Sequence, residues 1–220
     1  MARSIRKQVL VVGLGKFGLS VAADLTRQGH EVLAIDIDPE AVEEAVAVSA
    51  QALEVDANDE AALRVLGVAD FDVAVVAIND PARAILAAFI LQDLGVPQII
   101  ARAQSPTEVR ILERAPNTRA VLVEQAMGRY VARSIGIGSA VDVMPITDDV
   151  VIVRIRVRDD RRPCTVAEVE ALGGGVTVLA VQRGASVAVT PDPTTPVNPG
   201  NDLVLIGRQT DLEALRLRER

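Results

Sequence analysis

The stretch Val9-Leu10-Val11-Val12-Gly13-Leu14-Gly15-Lys16-Phe17-Gly18 decides the fold. Four apolar residues, three of them β-branched, read as a short buried strand. They run straight into glycines spaced G-x-G-x-x-G, and residues 17–28 continue with a helical pattern. Each glycine has its own task in a strand-turn-helix unit that meets a phosphate. Gly13 permits the tight turn, Gly15 lets a pyrophosphate approach bare backbone, and Gly18 lets helix and strand pack closely. The free N–H groups at the start of the helix then face the anion. Without a ligand the same residues are only a glycine turn, so the next element matters.

That element is Asp36, which ends the run Glu31-Val32-Leu33-Ala34-Ile35 and lies 18 residues beyond Gly18. A carboxylate at the end of a second strand accepts hydrogen bonds from both ribose hydroxyls. It also repels a 2′-phosphate, which favours NAD, ATP or ADP over NADP. Asp38 is the alternative ribose contact, but it stands just before Pro39 and reads better as a helix cap.

Working outward, short β-branched runs alternate with longer helical patterns up to about residue 133. Strands are expected at 9–12, 32–35, 52–55, 73–77, 98–101 and 120–123, with helices at 17–28, 39–48, 59–66, 81–94, 106–114 and 124–135. Pro39 after Asp38, Pro81 after Asp80 and Pro106 after Ser105 each pair a cap residue with proline at the first helical position. The expected fold class is α/β, a Rossmann-like doubly wound parallel sheet. Gly136-Ile137-Gly138-Ser139 then breaks the pattern, and the domain boundary is placed there, giving residues 1–138 and 139–220. The second domain is expected to be small and α+β, with strands at 151–157, 176–182, 186–189 and 203–206. Gly173-Gly174-Gly175 reads as a helix stop rather than a phosphate loop, and residues 191–200, with four prolines, as a rigid turn-rich connection.

Composition narrows the function. The 220 residues are 50% hydrophobic and 24% charged, which suits one medium or two small globular domains. The longest apolar run, 84–91, is far shorter than the roughly 20 residues that cross a bilayer, and residues 1–7 have no apolar signal region. A soluble, cytoplasmic protein is expected. One cysteine, Cys164, and one histidine, His30, exclude an intrachain disulfide and an ordinary His/Cys zinc site, so a metal would need carboxylates. The net charge of −7 is spread over both halves, and aromatic residues make up 2% with no tryptophan. Neither a basic stripe for duplex DNA nor a stacking platform for single strands is available.

The whole pattern resembles the cytoplasmic regulatory subunits of bacterial Trk and Ktr potassium-uptake systems, which join an RCK N domain to an RCK C domain. The resemblance is carried by Val11-Val12-Gly13-Leu14-Gly15-Lys16-Phe17-Gly18, Gly29-His30-Glu31-Val32-Leu33-Ala34-Ile35-Asp36, Val55-Asp56-Ala57, Val75-Val76-Ala77-Ile78, Ala101-Arg102-Ala103-Gln104 and Pro199-Gly200-Asn201-Asp202-Leu203-Val204-Leu205-Ile206-Gly207. In the last block Asn201 separates a glycine and an aspartate that are usually adjacent in the family.

The resemblance implies a ring, commonly an octamer assembled from dimers, whose N domains bind adenine nucleotides and dock on a membrane-embedded potassium transporter subunit without catalysis. It implies that Gly13, Gly15, Lys16, Phe17 and Gly18 form the phosphate loop, Asp36 the ribose contact and Asp56-Ala57 the adenine-side turn. Lys16 stands where the family often has an arginine at the terminal phosphate, and it keeps the charge while losing the bidentate fork. Arg102 matches a basic residue near the γ-phosphate; the alternative is a surface arginine. Arg83 is taken as solvated. Glu124 either complements a helix dipole or serves as an interfacial carboxylate for a divalent cation. In some relatives the C domain holds cyclic di-AMP between two copies, and residues 176–181, apolar on both faces, fit a surface covered by a symmetry mate.

Two other functions use similar sheets. A small NAD-dependent oxidoreductase needs a general acid or base near the nicotinamide. His30 sits in a turn before the second strand, Tyr130 has no lysine four residues on, and Cys164 has no histidine to activate it. A redox-sensing transcription factor needs a basic helix-turn-helix, and Arg154, Arg156 and Arg158 instead alternate along a strand.

Overall fold

A computed structural model describes residues 6–47, 51–136 and 140–215. The chain divides into two compact units, Met1–Ala126 and Met127–Arg220. Of the break expected at Gly136–Ser139, residues 137–139 lie outside the described residues, as does the expected end of the second helix at residue 48.

The first unit alternates strand and helix: β1 (Gln8–Val12), α1 (Lys16–Arg27), β2 (Glu31–Asp36), α2 (Pro39–Val46), β3 (Gln51–Glu54), α3 (Glu60–Val65), β4 (Val73–Val76), α4 (Pro81–Asp93), β5 (Ile99–Ala103), α5 (Pro106–Leu112) and β6 (Thr118–Leu122). Helix α6 (Val123–Gly136) follows at once. The strands form one sheet in the order β3-β2-β1-β4-β5-β6, with every pair parallel. Because the order reverses between β1 and β4, the connections leave the carboxyl ends in opposite directions and open a crevice there.

The residues of β1 show why the sheet is covered twice. Successive side chains point to opposite faces. Leu10 and Val12 join a core with Leu63, Leu91 and Leu112 of α3, α4 and α5, whereas Val9 and Val11 join one with Ala22 of α1 and Ala45 of α2. Leu10 is fully buried, and truncation to alanine there is worth about 2–5 kcal/mol. The helix starts follow the sequence signals. Asp38, Asp59, Asp80 and Ser105 each accept from backbone N–H groups in the first turn of α2, α3, α4 and α5. Before Ser105 the buried Glu108 carboxylate also accepts from Gln104 N–H at 2.8 Å, which ties the preceding residue to the first turn of α5.

The second unit holds β7 (Ala140–Pro145), β8 (Val150–Arg156), β9 (Cys164–Thr165), α7 (Val166–Gly173), β10 (Thr177–Arg183), β11 (Ser186–Val189), β12 (Pro196–Val197), β13 (Asp202–Arg208) and α8 (Gln209–Ala214). Five strands pair antiparallel as β11-β10-β13-β8-β7. Alternation places Val151, Val153 and Ile155 of β8 and Leu203 and Leu205 of β13 against Val166 and Val169 of α7 and Leu212 of α8. Gly174 caps α7 at φ +58°, the left-handed stop expected of the glycine triplet.

Two expectations are corrected. The proline-rich connection contains a strand, because Pro196 opens β12, a pairing position where no N–H is needed. Strand β7 is additional, an edge strand with only Val143 buried. Asn201 fits its turn: its side-chain oxygen accepts from Asn198 N–H at 3.0 Å and its carbonyl from Val157 N–H at 2.8 Å.

Candidate nucleotide-binding site

The three loop glycines answer to different constraints. At Gly13, φ is +90° and a Cβ would stand 2.9 Å from the backbone of Ala77 and Ile78. At Gly18 a Cβ would lie 1.8 Å from the Gly13 carbonyl oxygen. Both glycines are demanded by the packing of β1, α1 and β4. Gly15 is not. Its φ of −63° suits any residue, and the nearest atom to a Cβ is Asn79 Nδ2 at 3.9 Å. Among the described residues nothing needs that space bare, and it leaves room for a group to lie against the backbone.

The start of helix α1 is open beside this glycine. Unlike α2 to α5, it has no side-chain cap, and its first turn carries no acidic residue, so its leading N–H groups stay free beside Gly15. Asp36 holds the loop from the far side. One of its carboxylate oxygens accepts from Leu14 N–H at 2.5 Å and the other from Asp38 N–H at 3.0 Å. Asp38 itself caps α2 through Glu40 N–H at 3.0 Å, as its sequence position predicts.

Two adjoining depressions lie at the carboxyl ends of the strands. The first, about 250 Å³, is lined by Gly13, Gly15, Asp36, Ile37, Ala57 and Arg83 among others. Its wall is mostly apolar, with Ile35, Val55 and Ile78, and Ile37 remains 49% exposed at its edge. The second, about 500 Å³, is lined by Gly15, Lys16, Phe17, Ala77, Asn79, Arg102, Val123 and Glu124. Gly15 is common to both. The arrangement therefore offers an apolar end with a carboxylate, a bare backbone with free N–H groups, and a cationic end with Lys16 and Arg102.

Arg102 is not the solvated arginine of the alternative reading. Its side chain is 16% exposed, and its guanidinium donates to the Asn79 side-chain oxygen and to the Glu124 carboxylate. Its Nε is buried without a protein partner. Strand β5 runs through Ala103, two residues further than the sequence pattern indicates, and this points Arg102 into the second depression. Glu124 is held below the ordinary carboxylate range, first by its own backbone N–H and then by Arg102. It is one carboxylate carrying a guanidinium, and among the described residues no group of three or more His, Cys, Asp or Glu side chains could hold a metal ion. The described residues alone supply one carboxylate at Glu124, fewer than such a group needs.

Asp56 sits between the lining residues Val55 and Ala57, and Ala57 is buried. Arg83 is also placed differently from expectation: its guanidinium pairs with Asp56 at 2.8 Å and it lines the first depression. Asn79, which no motif singled out, stands between the phosphate loop and Arg102. The signal for it was positional, since it follows β4 at the carboxyl end next to the strand-order reversal. The residues weighed for oxidoreductase chemistry line neither depression. His30 accepts from Lys7 N–H at 3.2 Å, at the amino end of β2. Tyr130 donates to Asp142 at 3.2 Å, and burial with that carboxylate raises its hydroxyl pKa. Burial, reinforced by Glu168, pushes the Cys164 thiol up, away from nucleophilic use.

Residues 9–123 match the TrkA-N domain family. The chain is 30% identical over 216 residues to the Ktr system potassium uptake protein C of Bacillus subtilis, covering 97% of this chain and 98% of that one. It is 29% identical over 215 residues to the Ktr system potassium uptake protein A of the same organism, covering 97% of each. Among solved structures, the GsuK channel bound to NAD shares the fold with a TM-score of 0.63 at 18% identity, over all of this chain and 41% of that one. By the family match and near full-length similarity together, the chain belongs to the TrkA-N domain family, alongside the Ktr system potassium uptake proteins.

Proposed function

We propose that the chain is a cytoplasmic, nucleotide-binding regulatory subunit of a potassium-uptake transporter, acting at the inner face of the membrane without catalytic turnover. The observation that carries the nucleotide is Gly15: the packing leaves its Cβ position open, and free N–H groups of α1 stand beside it. Near full-length similarity to two Ktr potassium uptake proteins supports the transport role. Among the described residues no helix is long and apolar enough to cross a membrane, so on this reading the transport path belongs to a separate subunit.

In this proposal the adenosine lies in the first depression, with its ribose on Asp36 and its base beside Asp56 and Ala57. The phosphates cross Gly13 and Gly15 to Lys16, Phe17 and Arg102, while Gly18 supports the loop from beneath. ATP or ADP fits best, because Lys16 and the unpartnered Arg102 Nε supply donors beyond the second phosphate. NAD(H) is the second ligand in line. Glu124 meets a divalent cation only if phosphates or a neighbouring subunit complete its ligands.

Residues 1–138 form the nucleotide domain with its crossover helix, and residues 139–220 the ligand-sensing domain. Met127, Val131 and Ile135 of α6 are exposed apolar residues that suit contact with a second copy. Dimers built this way assemble to a ring, an octamer by family resemblance. The second unit has no phosphate loop, and Val187 and Val189 on the edge strand β11 are exposed; cyclic di-AMP between two copies is the family ligand that such a surface suits.

The test is titration calorimetry of the full chain with ATP, ADP, NAD⁺ and NADH, alongside mass analysis of the assembly. The proposal expects saturable adenine-nucleotide binding by an oligomer that oxidises no 2-hydroxy acid. A monomer that turns over NADH would instead establish the oxidoreductase.

A further inference from the structure

Arg83, which the sequence alone gives as solvated, reaches across this site. Its backbone N–H donates to Asp80 at 2.9 Å, which fixes it in the first turn of α4. From there its guanidinium reaches across to Asp56, 27 positions earlier, at 2.8 Å. The bond falls on Asp56 Oδ1, and the same oxygen accepts from Asn58 N–H at 2.9 Å. Two donors on one oxygen hold the carboxylate in a single orientation, and Oδ2 takes neither of them.

We infer that Arg83 is a positioning residue for base selection: it fixes Asp56 so that the free carboxylate oxygen reads the 6-position of a purine as an amino group. The inference rests on the adenine-nucleotide reading given above and deepens it. A carboxylate only accepts hydrogen bonds. Adenine offers it the 6-amino N–H, whereas guanine brings a 6-oxo lone pair against the carboxylate oxygen, a repulsive contact that selects against the wrong base. Were Asp56 free to rotate, it could turn away from guanine at little cost, and selectivity would fall. Arg83 and Ile37 both line the depression beside this carboxylate, and Ile37 is half exposed. The cavity thus has an apolar surface for the base, and the fixed carboxylate belongs to the residue between Val55 and Ala57, which both line it.

The experiment measures ATP, GTP and AMP affinities of the full chain by calorimetry for the wild type, Arg83→Gln and Asp56→Asn. The wild type should prefer ATP over GTP by at least about tenfold, the effect expected when one purine group meets an unmatched polar partner. Arg83→Gln should lower ATP affinity roughly fivefold or more while changing GTP affinity less than about twofold, and should leave the ATP-to-AMP ratio at its wild-type value. Asp56→Asn, whose amide can donate, should bring ATP and GTP together. An ATP-to-GTP ratio in Arg83→Gln equal to the wild-type ratio overturns the inference while leaving the nucleotide site standing. So does a wild type that binds both bases alike. A wild type that binds no adenine nucleotide removes the proposed function itself, and this inference with it.

Discussion

The carboxylate of Asp36 accepts the backbone N–H of Leu14 at 2.5 Å, so the end of β2 is tied to the middle of the phosphate loop. The second oxygen accepts from Asp38 N–H at the start of α2. Asp36 is therefore part of the loop's support, and the ribose contact proposed for it would fall on the residue that holds the loop.

Substituting Asp36 accordingly affects two things. Asp36→Ala removes the Leu14 tie and the acceptor for the ribose hydroxyls, each charge-assisted hydrogen bond being worth about 1.5–3 kcal/mol. ATP, ADP and NAD affinity should each fall at least roughly tenfold in calorimetry. Asp36→Asn keeps one acceptor oxygen and should fall between the two. Unchanged affinities in Asp36→Ala would remove the pocket assignment.

The loop glycines separate folding from binding. Gly18→Ala drives a Cβ into the Gly13 carbonyl, 1.8 Å away, and overpacking of this kind costs about 1–3 kcal/mol or more. Its thermal midpoint should drop clearly. Gly15→Ala meets nothing nearer than 3.9 Å and costs only the weaker capping ability of alanine, roughly 1 kcal/mol or less. It should unfold close to the wild-type temperature yet bind ATP at least about tenfold more weakly. Equal ATP affinity in Gly15→Ala and wild type would mean that the loop is only a turn.

Acid should act on the Arg102–Glu124 pair. Glu124 is depressed in the folded chain by its own backbone N–H and by Arg102. Its contribution is fully present above the pKa of an unfolded glutamate and disappears as pH falls through the lower folded value. Near neutrality the pair is insensitive to pH. Thermal unfolding of wild type and Glu124→Gln should differ most at neutral pH and converge in acid. A gap that widens as pH falls would contradict the pairing.

Much of this was legible in the sequence for a physical reason: buried parallel strands are apolar on both faces, so β1, β2 and β4 stand out as short runs between capped helices. The turn from β1 into α1 and the place of Asp36 at the end of β2 were legible because glycines and an acidic residue recur there at fixed spacing. Strand β7 was hidden because an edge strand buries little, and only Val143 of its six residues is buried. The strand opened by Pro196 was hidden because proline signals a break before it signals an edge position. Arg83 and Asn79 were hidden because their partners, Asp56 and Arg102, lie 27 and 23 positions away. An exposed arginine and one that crosses a cleft look alike until the chain is folded.

A subunit that regulates transport through its bound nucleotide, as proposed, requires ATP and ADP to favour different states of the assembly. The most direct measurement is solution scattering from the full-length assembly saturated first with ATP and then with ADP. With Lys16 and Arg102 placed as proposed, a third phosphate meets them in ATP and not in ADP, which predicts two distinguishable scattering curves at the same oligomer mass. Superimposable curves, with calorimetry showing both nucleotides bound, would contradict it.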